Sequence, residues 1–479
     1  MRKLLLLSLI TLATFGVAQK SPRPSKTEPS PQPASIPADP KISAALQQIS
    51  AAQIKRTIDT LVSFGNRSTL SVEQPAASEH GITAAREWIK SEFERYSRDC
   101  GGCLEVKLDT FTQPQAERLT KPTEISNVYA VLRGTDPEQA KRMVLVTGHY
   151  DSRNSDNFNT TDPAPGANDD ASGTAVSLEC ARVLSKLKFP ATIIFLAVAG
   201  EEQGLYGSAH FAKIAKDAGW QIEAVLNNDI VGGNRTPGDT GQNPHIVRVF
   251  SEGIPQAATE AEVRRIRALG AENDSPSREL ARYIAEIGQA YSKDFQPTLI
   301  FRPDRYLRGG DHSSFNEQGF AAVRFTEWRE DFNHQHQNVR TENGIEYGDL
   351  PKFVDFDYVA NVARLNAATL AELASAPPPP SNVKLETKQL ENGSTLTWEP
   401  VPDARYEALW RESGSRQWGR SKLLSDWCAV NKNGRREFEL CSAQMHVTLP
   451  LSKDNVFFAV RSVDAAGHKS LPVVPLPER

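Results

Sequence analysis

Ile193-Ile194-Phe195-Leu196-Ala197-Val198 runs directly into Ala199-Gly200-Glu201-Glu202. An uncharged apolar run of this length reads as a buried strand, and the glycine and paired carboxylates mark where it stops. The signature recurs upstream, where the run 143–147 ends in Gly148-His149-Tyr150-Asp151. Further β-branched runs bounded by turns lie at 128–132, 224–227, 298–301 and 322–325. Helical periods separate them. Val176, Cys180, Val183, Leu184 and Leu187 recur at i, i+4, i+7, i+8 and i+11, and Leu280, Ile284, Ile287 and Tyr291 repeat the spacing. A helical pattern also runs from Ile42 through Leu61, and further helices are expected over 81–96 and 358–373. Strands alternating with amphipathic helices predict a layered α/β domain.

Open sheets of this class place their chemistry at the C-terminal ends of strands. His149 and Asp151, two apart in extended backbone, share a face, so the Asp151 carboxylate can orient the imidazole as the partners of metal-bound histidines do. In Gly166-Ala167-Asn168-Asp169-Asp170-Ala171-Ser172-Gly173, Asp170 reads as the cap of the following helix. Asp169, one residue further out, can turn both oxygens into a cleft. Two metals about 3.5–4 Å apart need such a shared anion to offset their repulsion. Adjacent glutamates can divide the work: Glu202 is assigned as a metal ligand and Glu201 as the general base that deprotonates the attacking water. Asp229 is a further strand-end carboxylate. The sixth group is a histidine, either His334 or His336, and spacing does not choose between them. Together these groups read as the centre of a two-zinc hydrolase.

Residues 42–373 resemble the M28 family of zinc peptidases, the group of bacterial leucyl and related aminopeptidases. The resemblance rests on His149-Tyr150-Asp151-Ser152, on Pro165 through Gly173, on Ala199-Gly200-Glu201-Glu202-Gln203-Gly204-Leu205-Tyr206-Gly207-Ser208, on Asn228-Asp229 and on Gly310-Asp311-His312-Ser313-Ser314-Phe315. It implies a mixed central β-sheet flanked by helices, of the zinc-exopeptidase type. Asp169 would bridge two zinc ions, one also held by His149 and Asp229 and the other by Glu202 and the late histidine. His336, followed by Thr341, fits the family pattern better than His334, although Arg340 stands where many relatives carry Asp. A non-proline cis peptide is expected at Asp169-Asp170. The segment 305–312 falls where relatives place a loop near the substrate, so Tyr306 is assigned to the tetrahedral oxyanion, with Asp311 and His312 shaping the loop.

The 479 residues predict at least two domains. A net charge of -4 with acids and bases nearly balanced gives no electrostatic footprint for nucleic acid or an anionic membrane. Residues 1–18 have signal-peptide architecture, with Arg2-Lys3, an apolar stretch too short to span a membrane, and a small-residue exit at Ala18. Secretion to periplasm or medium follows, with no membrane span in the mature chain. Residues 19–40, rich in Pro, Ser and Lys, read as a disordered tether. Of the five cysteines, Cys100 and Cys103 are expected to form a structural loop disulfide and Cys428 and Cys441 a second, leaving Cys180 as a buried thiol. The peptidase domain spans 41–375, and 376–380, with Pro377-Pro378-Pro379-Pro380, is a semi-rigid spacer. Residues 381–479 read as a small all-β sandwich and resemble a fibronectin type III domain in the Trp398 strand, the Tyr406 strand and the ending from Val460 to Gly467. Such a domain is a spacer or a binder of polymer or cell surface.

The reading is a secreted aminopeptidase with two zinc ions per chain, acting on peptides. Three rivals remain. A carboxypeptidase or dipeptidase would use Arg302, Arg305 or Arg308 to hold a substrate carboxylate. A cyclase acting on amino-terminal glutamine would bind one zinc. A peptide-binding module on a dead scaffold would have lost ligands that are all present here.

Overall fold

The computed structural model describes residues 34–73, 80–306, 308–424 and 444–478. The signal-peptide reading, most of the tether and the Cys428–Cys441 pairing fall outside them. The chain opens with helices α1 (Pro40–Leu46), α2 (Ala51–Ser63) and α3 (Gly81–Asp99), then strands β1 (Leu104–Gln113), β2 (Thr123–Leu132) and β3 (Arg142–His149). Next come α4 (Ala171–Leu184), β4 (Thr192–Val198), α5 (Glu201–Gly204), α6 (Tyr206–Asp217), β5 (Gln221–Asn228), β6 (Ile246–Ser251), α7 (Glu260–Leu269), α8 (Pro276–Tyr291) and β7 (Gln296–Ile300). The domain closes with α9 (Asp311–Glu317), β8 (Ala322–Glu327), a hairpin of β9 (Arg340–Glu342) and β10 (Ile345–Tyr347), and α10 (Phe356–Ser375).

Eight strands form one mixed sheet in the order β1-β2-β4-β3-β5-β8-β6-β7. Its centre, β4-β3-β5-β8, is parallel, while β1, β2 and the β6–β8 contact are antiparallel. The founding run explains itself here. Ile193, Phe195 and Ala197 face the layer of α2, α4, α8 and α10, and Ile194, Leu196 and Val198 face α6 and α9. Both faces are covered, so the run has no polar alternation. Each buried Ile, Leu, Phe or Val of this run contributes about 1.5–3 kcal/mol. Strand β3 lies between β4 and β5, where the strand order reverses. Such a switch point leaves a crevice at the carboxyl ends of the strands.

Two segments differ from the sequence reading. The last part of the expected tether is packed: Ile36 is buried in the main core, and Asp39 caps α1 by accepting from the Lys41 and Ile42 amides at 2.6 and 3.0 Å. One large apolar residue is enough to seat a stretch whose composition is otherwise that of a tether. The proline run is no free spacer either, since Pro377 and Pro380 are buried. Beyond it lie β11 (Ser381–Glu386), β12 (Ser394–Glu399), β13 (Arg405–Glu412), β14 (Arg420–Leu423), β15 (Met445–Leu449), β16 (Val456–Val463) and β17 (Leu476–Glu478). They form sheets β15-β12-β11-β17 and β14-β13-β16, which share a core around Trp398, Tyr406, Phe458 and Val460. This sandwich docks on α8: Leu471 joins the peptidase-domain core, Trp418 Nε1 donates to Glu279 Oε2 at 2.8 Å, and Tyr283 Oη donates to the Lys469 carbonyl at 2.9 Å. A cavity of about 830 Å³ lies at this junction, lined by Pro276, Val383, Leu471 and Leu476 among others. It includes none of the predicted site residues.

Cys100 and Cys103 are disulfide-bonded at the end of α3, and Cys180 is a buried free thiol on α4. Among the described residues, no helix is long and apolar enough to cross a membrane.

Candidate metal centre

His149 ends β3, Glu201 follows β4 and Asp229 follows β5, so three neighbouring strands deliver their terminal residues to one crevice. Gly200 makes the turn into α5 at φ +80°, a conformation other residues rarely adopt. A side chain on Gly148 would meet the backbone of Gly173 within 2.3 Å, so the end of β3 lies directly against the start of α4. That contact brings Asp169 to His149. Asp170 caps α4 through the Gly173 amide at 2.9 Å and also accepts the His149 amide at 3.0 Å, so the cap ties strand and helix together. The Asp169-Asp170 peptide is cis, as the resemblance implied.

Asp169 is the pivot. Its Oδ1 lies 3.2 Å from His149 Nε2 and its Oδ2 lies 2.8 Å from His336 Nε2. Glu202 Oε2 lies 3.1 Å from the same His336 nitrogen. His149, Glu201 and Asp229 form one set whose ligand atoms lie within 4.8 Å of one another, and Asp169, Glu202 and His336 form a second. His149 Nδ1 faces the Asp151 carbonyl at 3.2 Å and its Oδ1 at 3.4 Å, which is the orienting role expected of Asp151. Asp151 is itself held by Thr69 Oγ1 at 3.0 Å and the Glu202 amide at 3.2 Å.

The electrostatics call for cations. Burial, reinforced by the neighbouring Asp229 and Glu202 charges, holds the Glu201 carboxyl well above its usual range. Burial likewise raises Asp170 and Asp229, with repulsion from neighbouring carboxylates adding. Asp169 goes the other way, because His336 and His149 outweigh its burial. Burial alone would lower both histidines, yet the surrounding carboxylates hold His149 well above its ordinary value and push His336 up to about 10. His149 Nε2, Asp151 Oδ1 and Glu202 Oε1 are buried without a well-aligned hydrogen bond. Orphaned buried polar atoms among like charges are costly in a dry protein. Imidazole nitrogens and carboxylate oxygens are the donor set zinc takes, so these residues fit the metal.

The structure resolves the choice that spacing left open. His336 enters the cluster, while His334 stacks on Phe353 at 3.6 Å between ring centres, with its Nδ1 3.1 Å from Thr236 Oγ1. Tyr306 is a correction. It is 79% exposed, and its ring lies under the Arg302 guanidinium at 3.9 Å, so the phenol is not held against the acidic cluster. Its chain neighbours are drawn elsewhere: Arg305 and Arg308 both bind Glu330 Oε2, at 2.8 and 3.0 Å. His312 shapes this loop as expected, with its Nε2 2.8 Å from the Pro303 carbonyl.

Sequence reasoning missed the residues that hold the ligands. Asp349 accepts the Asn168 and Asp169 amides at 2.8 and 2.7 Å, fixing Asp169 from behind. Arg67, fully buried, donates to the carbonyls of Leu61, Tyr150, Pro165 and Gly166 and so joins two ligand loops. Arg324 Nη2 lies 2.8 Å from Asp229 Oδ1, and Arg153 Nε lies 2.8 Å from Glu202 Oε2. None carries a local signal, because each reaches its partner across long stretches of chain.

Residues 127–350 match the family model described as Peptidase family M28. A probable zinc metalloprotease of Leptosphaeria maculans is 45% identical over 441 residues, covering 91% of this chain and 97% of that protein. The chain belongs to peptidase family M28. A second probable zinc metalloprotease, from Pyricularia oryzae, is 45% identical over 450 residues, 92% of this M28 chain and 85% of the relative. This M28 protein is therefore a zinc metallopeptidase acting on peptides. Among solved structures it is similar to the LapA aminopeptidase of Legionella pneumophila, at 21% identity and a TM-score of 0.48 over 73% of this chain and 78% of that one. It is also similar to a glutaminyl cyclase of Porphyromonas gingivalis, at 19% identity and a TM-score of 0.46 over 68% and 98%.

Proposed function

We propose that this M28 chain is a secreted aminopeptidase whose centre takes two zinc ions and releases residues one at a time from free amino termini. The observation that carries the reading is Asp169, which points one carboxylate oxygen at each of two histidines. Asp169, His149 and Asp229 would hold one ion, and Asp169, Glu202 and His336 the other. Zinc when bound polarises a carbonyl and makes water acidic enough to lose a proton near neutral pH.

The chain's own residues do the rest. Glu201 Oε2, 4.0 Å from His149 Nε2, borders the crevice with no lysine or arginine against it among the described ion pairs. It takes the proton of the attacking water and hands it to the departing amine. Asp151 keeps the His149 ring oriented. The buried carboxylates favour a substrate ammonium over a substrate carboxylate. Of the three arginines a carboxypeptidase could use, Arg305 and Arg308 are committed to Glu330 and Arg302 lies over the Tyr306 ring at 3.9 Å, and this favours amino-terminal over carboxy-terminal cleavage. A cyclase centre with one zinc leaves half of the acid set uncompensated. The sandwich, which carries none of these residues, is read as a docked module with faces left for a polymer or cell surface.

The test uses the purified zinc-loaded chain and one peptide panel with amino termini free or acetylated, followed by mass. Stepwise loss from free-amine peptides alone is expected. Release from the carboxyl end of both forms would make the protein a carboxypeptidase, and no cleavage of either would sink the exopeptidase reading.

A further inference from the structure

The parallel strands of the sheet have two ends, and the metal centre occupies one of them. At the other, Glu223 stands near the start of β5 and Ala321 directly before β8, and both line the cavity of about 830 Å³ between the peptidase domain and the sandwich. Extended chain from Glu223 to Asp229 sets the cavity about 20 Å from that ligand.

Packed protein leaves few voids larger than a water molecule. The junction is tight elsewhere, with Leu471 in the peptidase-domain core and Arg461 fully buried across it. The cavity is the exception, and its volume falls in the range of about 300–1,000 Å³ that ligand sites have. Pro379, Val383, Leu471, Val473, Leu476 and Pro477 supply much of its wall. An apolar space of this kind takes apolar ligands in preference to water.

The charged groups on the wall decide what head such a ligand carries. Three are acids, and each is matched by arginine. Glu223 accepts from Arg142 Nε and Nη2 at 2.6 and 2.8 Å. Asp274 and Glu279 share Arg282, and Asp274 also meets Arg411. The remaining two, Arg265 and Lys384, are cations, and Arg265 makes no ion pair among the described residues. The wall therefore holds a surplus of positive charge, which favours an anionic head.

Arg265 lies on α7, an amphipathic helix with none of its residues buried. Leu269 of the same helix lines a second cavity of about 390 Å³, which shares Asp274 and Pro477 with the first. A helix so lightly packed belongs to the least stable part of a fold and can shift to admit a long molecule.

We propose that this cavity binds a free long-chain carboxylate of the fatty-acid class, with its alkyl chain between the two domains and its head at Arg265 and Lys384. The inference stands apart from the aminopeptidase reading, because no part of it uses the metal centre.

The test titrates the zinc-loaded full chain calorimetrically with dodecanoate below its micelle concentration. One equivalent should bind, with a negative heat-capacity change. Affinity should fall roughly tenfold for each two methylenes removed, in decanoate and then octanoate. Dodecyltrimethylammonium should bind roughly tenfold more weakly than dodecanoate, since its head meets like charge. Arg265→Glu, on the exposed helix, should weaken dodecanoate binding about fivefold. Leu476→Trp adds bulk to the wall at a residue that is 52% exposed, so the chain should still fold while binding weakens roughly tenfold. Peptide turnover should be unchanged in both variants. Absence of dodecanoate binding, uptake of several equivalents indifferent to Leu476→Trp, or equal binding of the cationic amphiphile would overturn the site. Binding unchanged by Arg265→Glu would overturn the placing of the carboxylate.

Discussion

Arg461 joins the two domains, and its loss has a calculable cost. It leaves β16 fully buried, with Nη1 3.0 Å from Glu286 Oε2 on α8 and Nε 2.7 Å from Glu407 Oε2 on β13. Arg461→Met keeps much of the stem and removes the charge. Glu407 retains Lys469 Nζ at 2.9 Å, but Glu286 has no other cation among the described ion pairs, and its Oε1 is already without a hydrogen bond. Removing one partner of a buried pair typically costs about 3–5 kcal/mol. Glu407 gives a second route to the scale. Its burial would raise the carboxyl, yet Arg461 and Lys469 bring it from 4.5 down to about 2, which corresponds to about 3 kcal/mol shared between the two cations. Because the folded value is depressed, this stabilisation is complete above the unfolded value of about 4.5 and fades as pH falls toward 2.

Urea unfolding of the native chain and of Arg461→Met, followed by tryptophan fluorescence and far-UV circular dichroism, measures the difference. A loss of about 3 kcal/mol is expected at pH 7, shrinking between pH 4.5 and 2 as Glu407 is protonated in both chains. Adding Glu286→Met should restore most of the loss, since a buried pair replaced by apolar side chains is often neutral. A single-variant loss below about 1 kcal/mol, the scale of an exposed pair, or a double variant no better than the single, would refute the docking argument.

At the centre, Glu201→Gln should cut turnover by about 10²–10⁴ while zinc content by metal analysis stays unchanged. Zinc lost together with activity would make Glu201 a ligand, in keeping with its place beside His149 and Asp229. Arg67→Met should strand four carbonyls at about 1–3 kcal/mol for each left unsatisfied, lowering both the melting temperature and zinc retention on dialysis; an unchanged melt would show that those carbonyls find other donors. Removing 381–479 takes away no site residue, yet it uncovers Glu279, Glu286 and the seat of Leu471. The shortened chain should melt lower or fail to stay soluble, and equal stability would return the sandwich to the status of a spacer.

The central sheet was legible because β3, β4, β5 and β8 are covered on both faces and so print unbroken apolar runs. Strand β1, at the sheet edge, prints no such run: Glu105, Lys107 and Asp109 alternate with Leu104, Val106 and Leu108, the period of a half-exposed strand rather than of one covered on both faces. His149, Glu201, Glu202 and Asp229 were legible because each ends or follows a strand, and Asp169 because it stands just before the cap of α4, whereas His336 lies in irregular chain between β8 and β9 and spacing alone did not separate it from His334. Their supports were not: Asp349, Arg67, Arg153 and Arg324 are ordinary charged residues until the fold brings them to the centre. Tyr306 failed for a related reason. It lies in irregular chain, but its direction is set by Arg302 and by the two arginines drawn to Glu330, and no local pattern encodes that choice.

The metal centre and the domain interface follow one electrostatic rule and satisfy it differently. At the interface the buried acids meet side-chain partners of the protein: Glu286 and Glu407 meet Arg461, Asp274 meets Arg411, Glu279 meets Arg282 and Trp418, and Glu372 meets His468. In the crevice, Asp169, Asp170, Glu201, Glu202 and Asp229 crowd together, and the guanidiniums in contact with them among the described ion pairs reach Glu202 and Asp229. The deficit in the crevice cannot be made up by more arginine, because a guanidinium between Asp169 and its two histidines would fill the space a peptide carbonyl has to enter. A compact divalent ion compensates the charge and leaves that space open. The acids that look most expensive for the fold are therefore those whose compensation has to come from outside the chain, and their excess over the cations around them is the physical sign that separates this centre from the equally buried, equally charged seam where the sandwich docks.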